Sequence, residues 1–299
     1  MPAISLPDGT VKSFDHPVTA FDVAMGIGER LAKACVGAIV DEELCDLSTV
    51  LDKDCSLALV TEKNRDKTDD PNALNMLRHS TAHVMAEAIQ RVVPGALLVY
   101  GPPLEYGFYY DIKFPEDRPL KEGDFEAIEK EMGAIIKEDR PFTRYDMSIA
   151  DGMEQLKSEG SKYKLDNGEA AIKAGSESLS FYATGEPGKN WEDLCRGPHV
   201  PSTGRIGGFK IMSLALSYLH GDEKSASLTR VYGTSFFSKK DLNKHLERLE
   251  EAKKRDHRVL GKKLKLFHID ETVGQGLILW TPNGSVVRKE LQNFIAAEL

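Results

Sequence analysis

The sequence has little cysteine and little tryptophan, four of the first and two of the second in 299 residues. Cys35, Cys45, Cys55 and Cys195 are too scattered for a disulfide framework, and none forms a CxxC pair, so reduced thiols are expected. No apolar run approaches the length of a membrane span, and the first eight residues lack the basic and apolar regions of a secretory signal. A cytoplasmic protein without a membrane partner is the expectation. Internal repeats and low-complexity tracts are absent too.

The chain is rich in charge, with 29% charged and 41% hydrophobic residues, the composition of a globular protein. Its length predicts two or more domains. The net charge of -8 is unevenly placed: residues 1–62 hold eleven acids and four bases, whereas 239–265 hold eleven bases and five acids. A polyanion would therefore be met locally.

Residues 1–62 read as a small β-grasp module. Apolar stretches at 3–6 and 11–14 flank Pro7-Asp8-Gly9-Thr10, a tight turn; Thr19 caps a helix to about Ala34, and strands follow at 37–40 and 57–60. Polar residues 62–70 suit a linker. Asp70-Pro71 then starts a helix that ends at Pro94-Gly95, with Leu77, Ala82, Met85, Ala86 and Ile89 inward. Strands are expected at 107–112, 178–183, 209–214 and 228–232, and Phe125, Ile128, Met132, Ile135 and Ile136 mark an amphipathic helix. The mixture predicts an α+β domain over residues 63–238. Ser238-Lys239-Lys240-Asp241 caps a charged helix to about Leu260; an apolar stretch at 264–269 and a helix over 285–299 follow, and a chain stopping inside a helix suggests a shortened one.

Arg78-His79-Ser80-Thr81-Ala82-His83 puts two imidazoles on one helical stripe, and Asp193-Leu194-Cys195-Arg196-Gly197-Pro198-His199 adds a thiol and a third imidazole. His79 and His83 alone read as ordinary polar helix surface, but a Cys-Arg-Gly-Pro-His loop is an odd thing to build for packing alone. Together, three imidazoles and a thiol suit a tetrahedral zinc ion, or equally a metal-free acid/base site acting on an ester. The spacing does not choose between them.

These HxxxH and CxxxH pairs resemble those of the editing domains of threonyl- and alanyl-tRNA synthetases and of freestanding editing proteins. Gly107-Phe108-Tyr109-Tyr110-Asp111, Arg196-Gly197-Pro198-His199-Val200-Pro201, Arg230-Val231-Tyr232-Gly233-Thr234 and the charged helix 246–258 make the chain resemble the threonyl-tRNA synthetase family, bacterial type, in order and over its whole length. The resemblance implies a TGS module at 1–62, an editing domain at 63–238, a linker helix at 239–264 and a truncated start of the class II catalytic domain at 265–299. One departure is Tyr218-Leu219-His220-Gly221-Asp222, where the family carries an aromatic-Trp pair before Gly-Asp.

What the resemblance implies about function is hydrolysis of seryl-tRNA(Thr). It assigns His79 to proton transfer near the terminal ribose, Lys164 to the water and the developing oxyanion, and Tyr110 and Asp193 to ordering water and substrate. His83, Cys195 and His199 line the pocket. Loss of His79 or Lys164 is expected to leave folding intact. No metal is expected in this part; ATP, magnesium and zinc belong to the missing synthetic portion, as does the homodimer contact. The alternatives are an alanyl-type or freestanding deacylase and a non-catalytic RNA-binding regulator using the basic helix.

Overall fold

A computed structural model describes the chain, except Arg65, Gln275 and the side chain of His220, so the departure noted around His220 lies in part outside the described residues. It forms two compact units, Met1–Leu242 and Asn243–Leu299. Helices and strands alternate irregularly, with antiparallel pairing dominant, so the fold is α+β as expected.

The first strands, Ala3–Ser5 and Val11–Ser13, form the expected hairpin, and Ala3–Ser5 also runs parallel to Cys55–Thr61. Cys35–Val40 lies antiparallel to Cys55–Thr61 and carries Glu43–Cys45 at the sheet edge. Thr19 caps the next helix as expected, and Asp22 caps it back reciprocally. The single helix expected after them is instead two, Ala20–Ile27 and Glu29–Ala34, interrupted at Gly28, whose extended backbone breaks the helical ladder.

The long helix Pro71–Val92 is the centre of the first unit. Asp70 accepts hydrogen bonds from the backbone N–H groups of Asn72 and Ala73 at its start. Its expected inward residues are all buried, but so are Arg78, Ser80, Thr81, His83 and Glu87, because the helix is covered on more than one side. One side faces the sheet of Gly208–Tyr218, Ser227–Phe236, Gly107–Lys113 and Leu97–Tyr100, another the helix Phe125–Lys137. The strand Cys35–Val40 approaches the same helix closely: a Cβ at Gly37 would meet Met76 Sδ at 2.3 Å. Val36 and Val60 join Met76 and Leu77 in one apolar core.

A second sheet, Phe142–Ser148, Ser178–Thr184 and Glu192–Leu194, is antiparallel throughout. Between its first two strands run the helices Ile149–Ser158 and Lys162–Lys173, which sequence reading did not mark. Their apolar positions are few: Leu156 is buried against Leu179 and Phe181, and much of the rest is solvated.

The charged helix begins at Lys239, in the first unit, and ends earlier than expected. Lys239–Lys254 is followed by His257–Lys263, with Asp256 between them capping the Arg258 N–H. Phe267–Ile269 pairs with Ile278–Trp280, and Thr281 caps the helix Pro282–Glu298, which starts three residues before the expected Ser285.

Candidate active site

His79 and His83 sit one turn apart on the long helix, and their rings lie 5.3 Å from one another. Facing them is the loop 195–199, which follows the strand Glu192–Leu194. Its shape depends on Gly197, whose φ of 73° suits glycine and whose absent Cβ would lie 2.0 Å from the Tyr182 hydroxyl oxygen. Cys195 Sγ is 3.3 Å from His79 Nε2 and 3.4 Å from His199 Nε2. The His199 ring stacks on His79, centroids 4.2 Å apart.

The neighbours fix the tautomers. The Pro198 carbonyl, 3.3 Å from His79 Nδ1, can only accept, so Nδ1 carries the proton and Nε2 a lone pair. Ser80 donates its one hydroxyl proton to the Met76 carbonyl and accepts from the Val200 N–H, so it accepts from His199 Nδ1 as well, at 3.1 Å. His199 Nε2 is therefore also a lone pair. Two imidazole lone pairs converge on a thiol with a single proton.

A second cluster completes the wall. Lys164, in the first turn of Lys162–Lys173, is 4% exposed and pairs with Asp193 Oδ1 at 2.5 Å. It also donates to the Tyr110 hydroxyl oxygen at 3.0 Å, while that hydroxyl donates to Asp193 Oδ2 at 2.5 Å. Tyr110 comes from Gly107–Lys113, so three elements distant in sequence close one triangle. His79, His83, Tyr110, Lys164, Asp193 and Cys195 all line a pocket of about 500 Å³. His199, expected on that wall, is instead buried behind it and borders a neighbouring cleft.

Burial governs the protonation states. It lowers His79 to about 4 and His83 to about 3, and holds His199 well below the ordinary imidazole value, so all three are neutral at pH 7. Burial pushes the Cys195 thiol up to about 12, which removes it as a ready thiolate. For Asp193 burial acts upward, but the Lys164 charge and the hydrogen bonds from Lys164 and Tyr110 outweigh it and keep the carboxyl below its usual range. Tyr110 is raised, first by burial and then by the adjacent Asp193 charge, and stays protonated.

His79, His83, Cys195 and His199 bring one ligand atom each within 4.8 Å of one another. The spare lone pairs, together with a buried His83 Nδ1 that has no hydrogen-bond partner among the described residues, make this set compatible with zinc. These four would hold the ion, which could polarise a carbonyl or acidify a water. Four protein ligands would, however, close the tetrahedron and occupy the His79 lone pair.

A family model for the TGS domain matches residues 3–61, and one for the threonyl and alanyl tRNA synthetase second additional domain matches 179–232. The latter stretch contains Asp193, Cys195 and His199 but neither His79 nor Lys164. A threonine-tRNA ligase of Marinobacter nauticus is 44% identical over 298 residues, all of this chain and 44% of the relative. Those of Burkholderia orbicola and Burkholderia vietnamiensis are each 43% identical over 295 residues, 99% of this chain and 44% of the relative. Over its whole length this chain matches threonine-tRNA ligases at about 43% identity, and it carries the TGS and second additional domains. It corresponds to the N-terminal region of these synthetases and spans less than half their length.

Sequence reading of the pocket missed the residues behind it: Asp46, Ser80, Phe142, Tyr182 and Trp191. Phe142 stacks on His199 at 5.0 Å, and Trp191 meets His83 edge-on at 5.4 Å. Asp46 carried a usable signal, an acid between the apolar residues Leu44, Cys45 and Leu47.

Proposed function

We propose that the pocket proofreads for a threonyl-tRNA synthetase by hydrolysing the seryl ester of mischarged tRNA(Thr). The observation that carries this reading is the meeting of a neutral His79, lone pair at Nε2, with the clamped Lys164 cation in one pocket. The chemical need is clear: serine differs from threonine by one methyl, worth only about 1–3 kcal/mol of discrimination, so a second site must remove the error. A smaller pocket admits serine and excludes the extra methyl.

In this proposal a water attacks the ester carbonyl while His79 Nε2 takes its proton. Lys164 stabilises the oxyanion, and the ester bond to the ribose oxygen breaks as His79 returns the proton to that oxygen. Asp193 holds Lys164 in place and offers its charge to the serine ammonium; Tyr110 orders both. His83 and Cys195 shape the wall, and His199 backs it from behind. A protonated thiol favours direct water attack over a thioester route.

The rest of the reading follows the family. Residues 1–62 are assigned to a TGS module, 63–238 to the editing domain, 239–264 to a linker helix and 265–299 to the start of the class II domain. The partner is tRNA(Thr), in the cytoplasm. ATP, magnesium, a synthetic-site zinc and the homodimer contact are assigned to the part of the relatives outside this chain.

The proposed hydrolysis needs no metal, because Lys164 supplies the positive charge and zinc would take the His79 lone pair. Purified chain should hydrolyse Ser-tRNA(Thr) at an unchanged rate after EDTA treatment. Stoichiometric zinc in elemental analysis, lost to EDTA together with activity, would overturn this. Because the matched model also covers alanyl enzymes, Ser-tRNA(Ala) is the comparison substrate: faster hydrolysis of it than of Ser-tRNA(Thr) would favour an alanyl-type deacylase.

A further inference from the structure

We propose that Asp46, a residue of the N-terminal module, is a positioning residue for the loop 195–199, so that the module forms part of the editing site. This rests on the proofreading reading above. Asp46 follows the edge strand Glu43–Cys45 and is 9% exposed. Its Oδ1 accepts the His199 backbone N–H at 2.7 Å, and its Oδ2 accepts the Tyr182 hydroxyl at 2.5 Å. Both partners touch the site. Tyr182 lies opposite Asp193 in strand register, its ring centroid is 4.4 Å from that of His199, and its hydroxyl fills the space left by Gly197.

A single carboxylate therefore sets the height of the loop at two points, and the loop in turn sets His79. Pro198 orients the His79 ring through Nδ1, and the His199 ring lies stacked against it. If the loop relaxes, the proton acceptor moves. A misplacement of about 1 Å in a catalytic group can cost about 100-fold in rate.

Asp46 is not what docks the module. Val36 and Val60 share an apolar core with Met76 and Leu77, and Arg205 donates to the backbone carbonyls of Lys33 and Cys35. Those contacts are independent of the carboxylate. Burying a charge whose hydrogen bonds come from a backbone amide and a phenol is costly, and an apolar side chain would pack there more cheaply. The carboxylate is suited to aiming rather than to cohesion, and burial does push its carboxyl above the usual range.

The test uses the full chain with Asp46→Leu, Asp46→Asn and Tyr182→Phe. Asparagine keeps an acceptor for the His199 N–H, and its amide can donate to a turned Tyr182 hydroxyl. Asp46→Leu should lower kcat for Ser-tRNA(Thr) by about 10- to 100-fold with KM within about twofold, at a temperature where the variant is folded. Asp46→Asn should restore most of it, and Tyr182→Phe, which keeps the ring, should fall between. A second readout needs no substrate: iodoacetamide modification of Cys195, followed by peptide mass, should speed up severalfold in Asp46→Leu, with Cys35 and Cys55 unchanged. If wild type fails to hydrolyse Ser-tRNA(Thr), the proofreading reading falls while the thiol measurement still reports on Asp46. Wild-type kcat in folded Asp46→Leu, or an unchanged Cys195 rate, would overturn the proposal. Should Asp46→Leu not fold, Tyr182→Phe with wild-type kcat and wild-type Cys195 reactivity does so instead.

Discussion

Replacing Lys164 by methionine should abolish most hydrolysis of Ser-tRNA(Thr), by about 100- to 1,000-fold, because it removes the charge aimed at the oxyanion. The same change should also destabilise the first unit by about 3–5 kcal/mol, since Asp193 is 4% exposed and would be left buried without its cation. The expectation that loss of Lys164 leaves folding intact therefore does not survive the geometry. A second substitution separates the two effects. Lys164→Met with Asp193→Asn removes the orphaned charge, so stability in urea should return in large part while hydrolysis stays lost. Recovery of hydrolysis in the double variant would mean that Lys164 serves the fold alone.

Acid should weaken the first unit well before its surface carboxylates titrate. His79, His83 and His199 have folded pKa values below the unfolded value of 6.5, because burial disfavours their charged forms. Unfolded chains therefore bind protons that the folded chain refuses. The stability from these neutral imidazoles is fully present above pH 6.5 and is lost as pH falls through 6.5 towards about 4, with a limiting slope of about 1.4 kcal/mol per pH unit for each. Glu159 opposes this: burial and the Asp193 charge raise its folded pKa to about 6, so its protonation returns stability below that pH. Asp46, which burial also raises, acts in the same sense, but three imidazoles outweigh two carboxyls. Urea unfolding followed by Trp191 fluorescence, in a Trp280→Phe background, should show a net loss of about 2 kcal/mol or more between pH 7.5 and 5.5. A flat profile would mean that the imidazoles take protons in the folded state.

Much of this was legible because it is written locally. Asp70-Pro71 fixes where the long helix begins, and the four-residue spacing of His79 and His83 then sets them one turn apart. The β-grasp hairpin follows from a turn sequence between two short apolar runs. Lys164 is different in kind. Lysines in a sparse amphipathic helix are usually solvated, and only the closing of Asp193 and Tyr110 around this one buries it, so family resemblance and not pattern found it. Asp46 is further from view, because its partner His199 is 153 residues away and the link is to a backbone N–H, which leaves no trace in residue type. The family resemblance put His199 on the pocket wall, yet it sits on an irregular loop that no periodicity orients, and its ring turns inward to Ser80 and Phe142.

Single-turnover deacylation by the full chain, with Ser-tRNA(Thr) and Thr-tRNA(Thr) side by side, tests the central claim most directly. The account predicts hydrolysis of the seryl ester far above the spontaneous rate and of the threonyl ester at or near it. Equal rates on the two esters, or no acceleration of either, would contradict it.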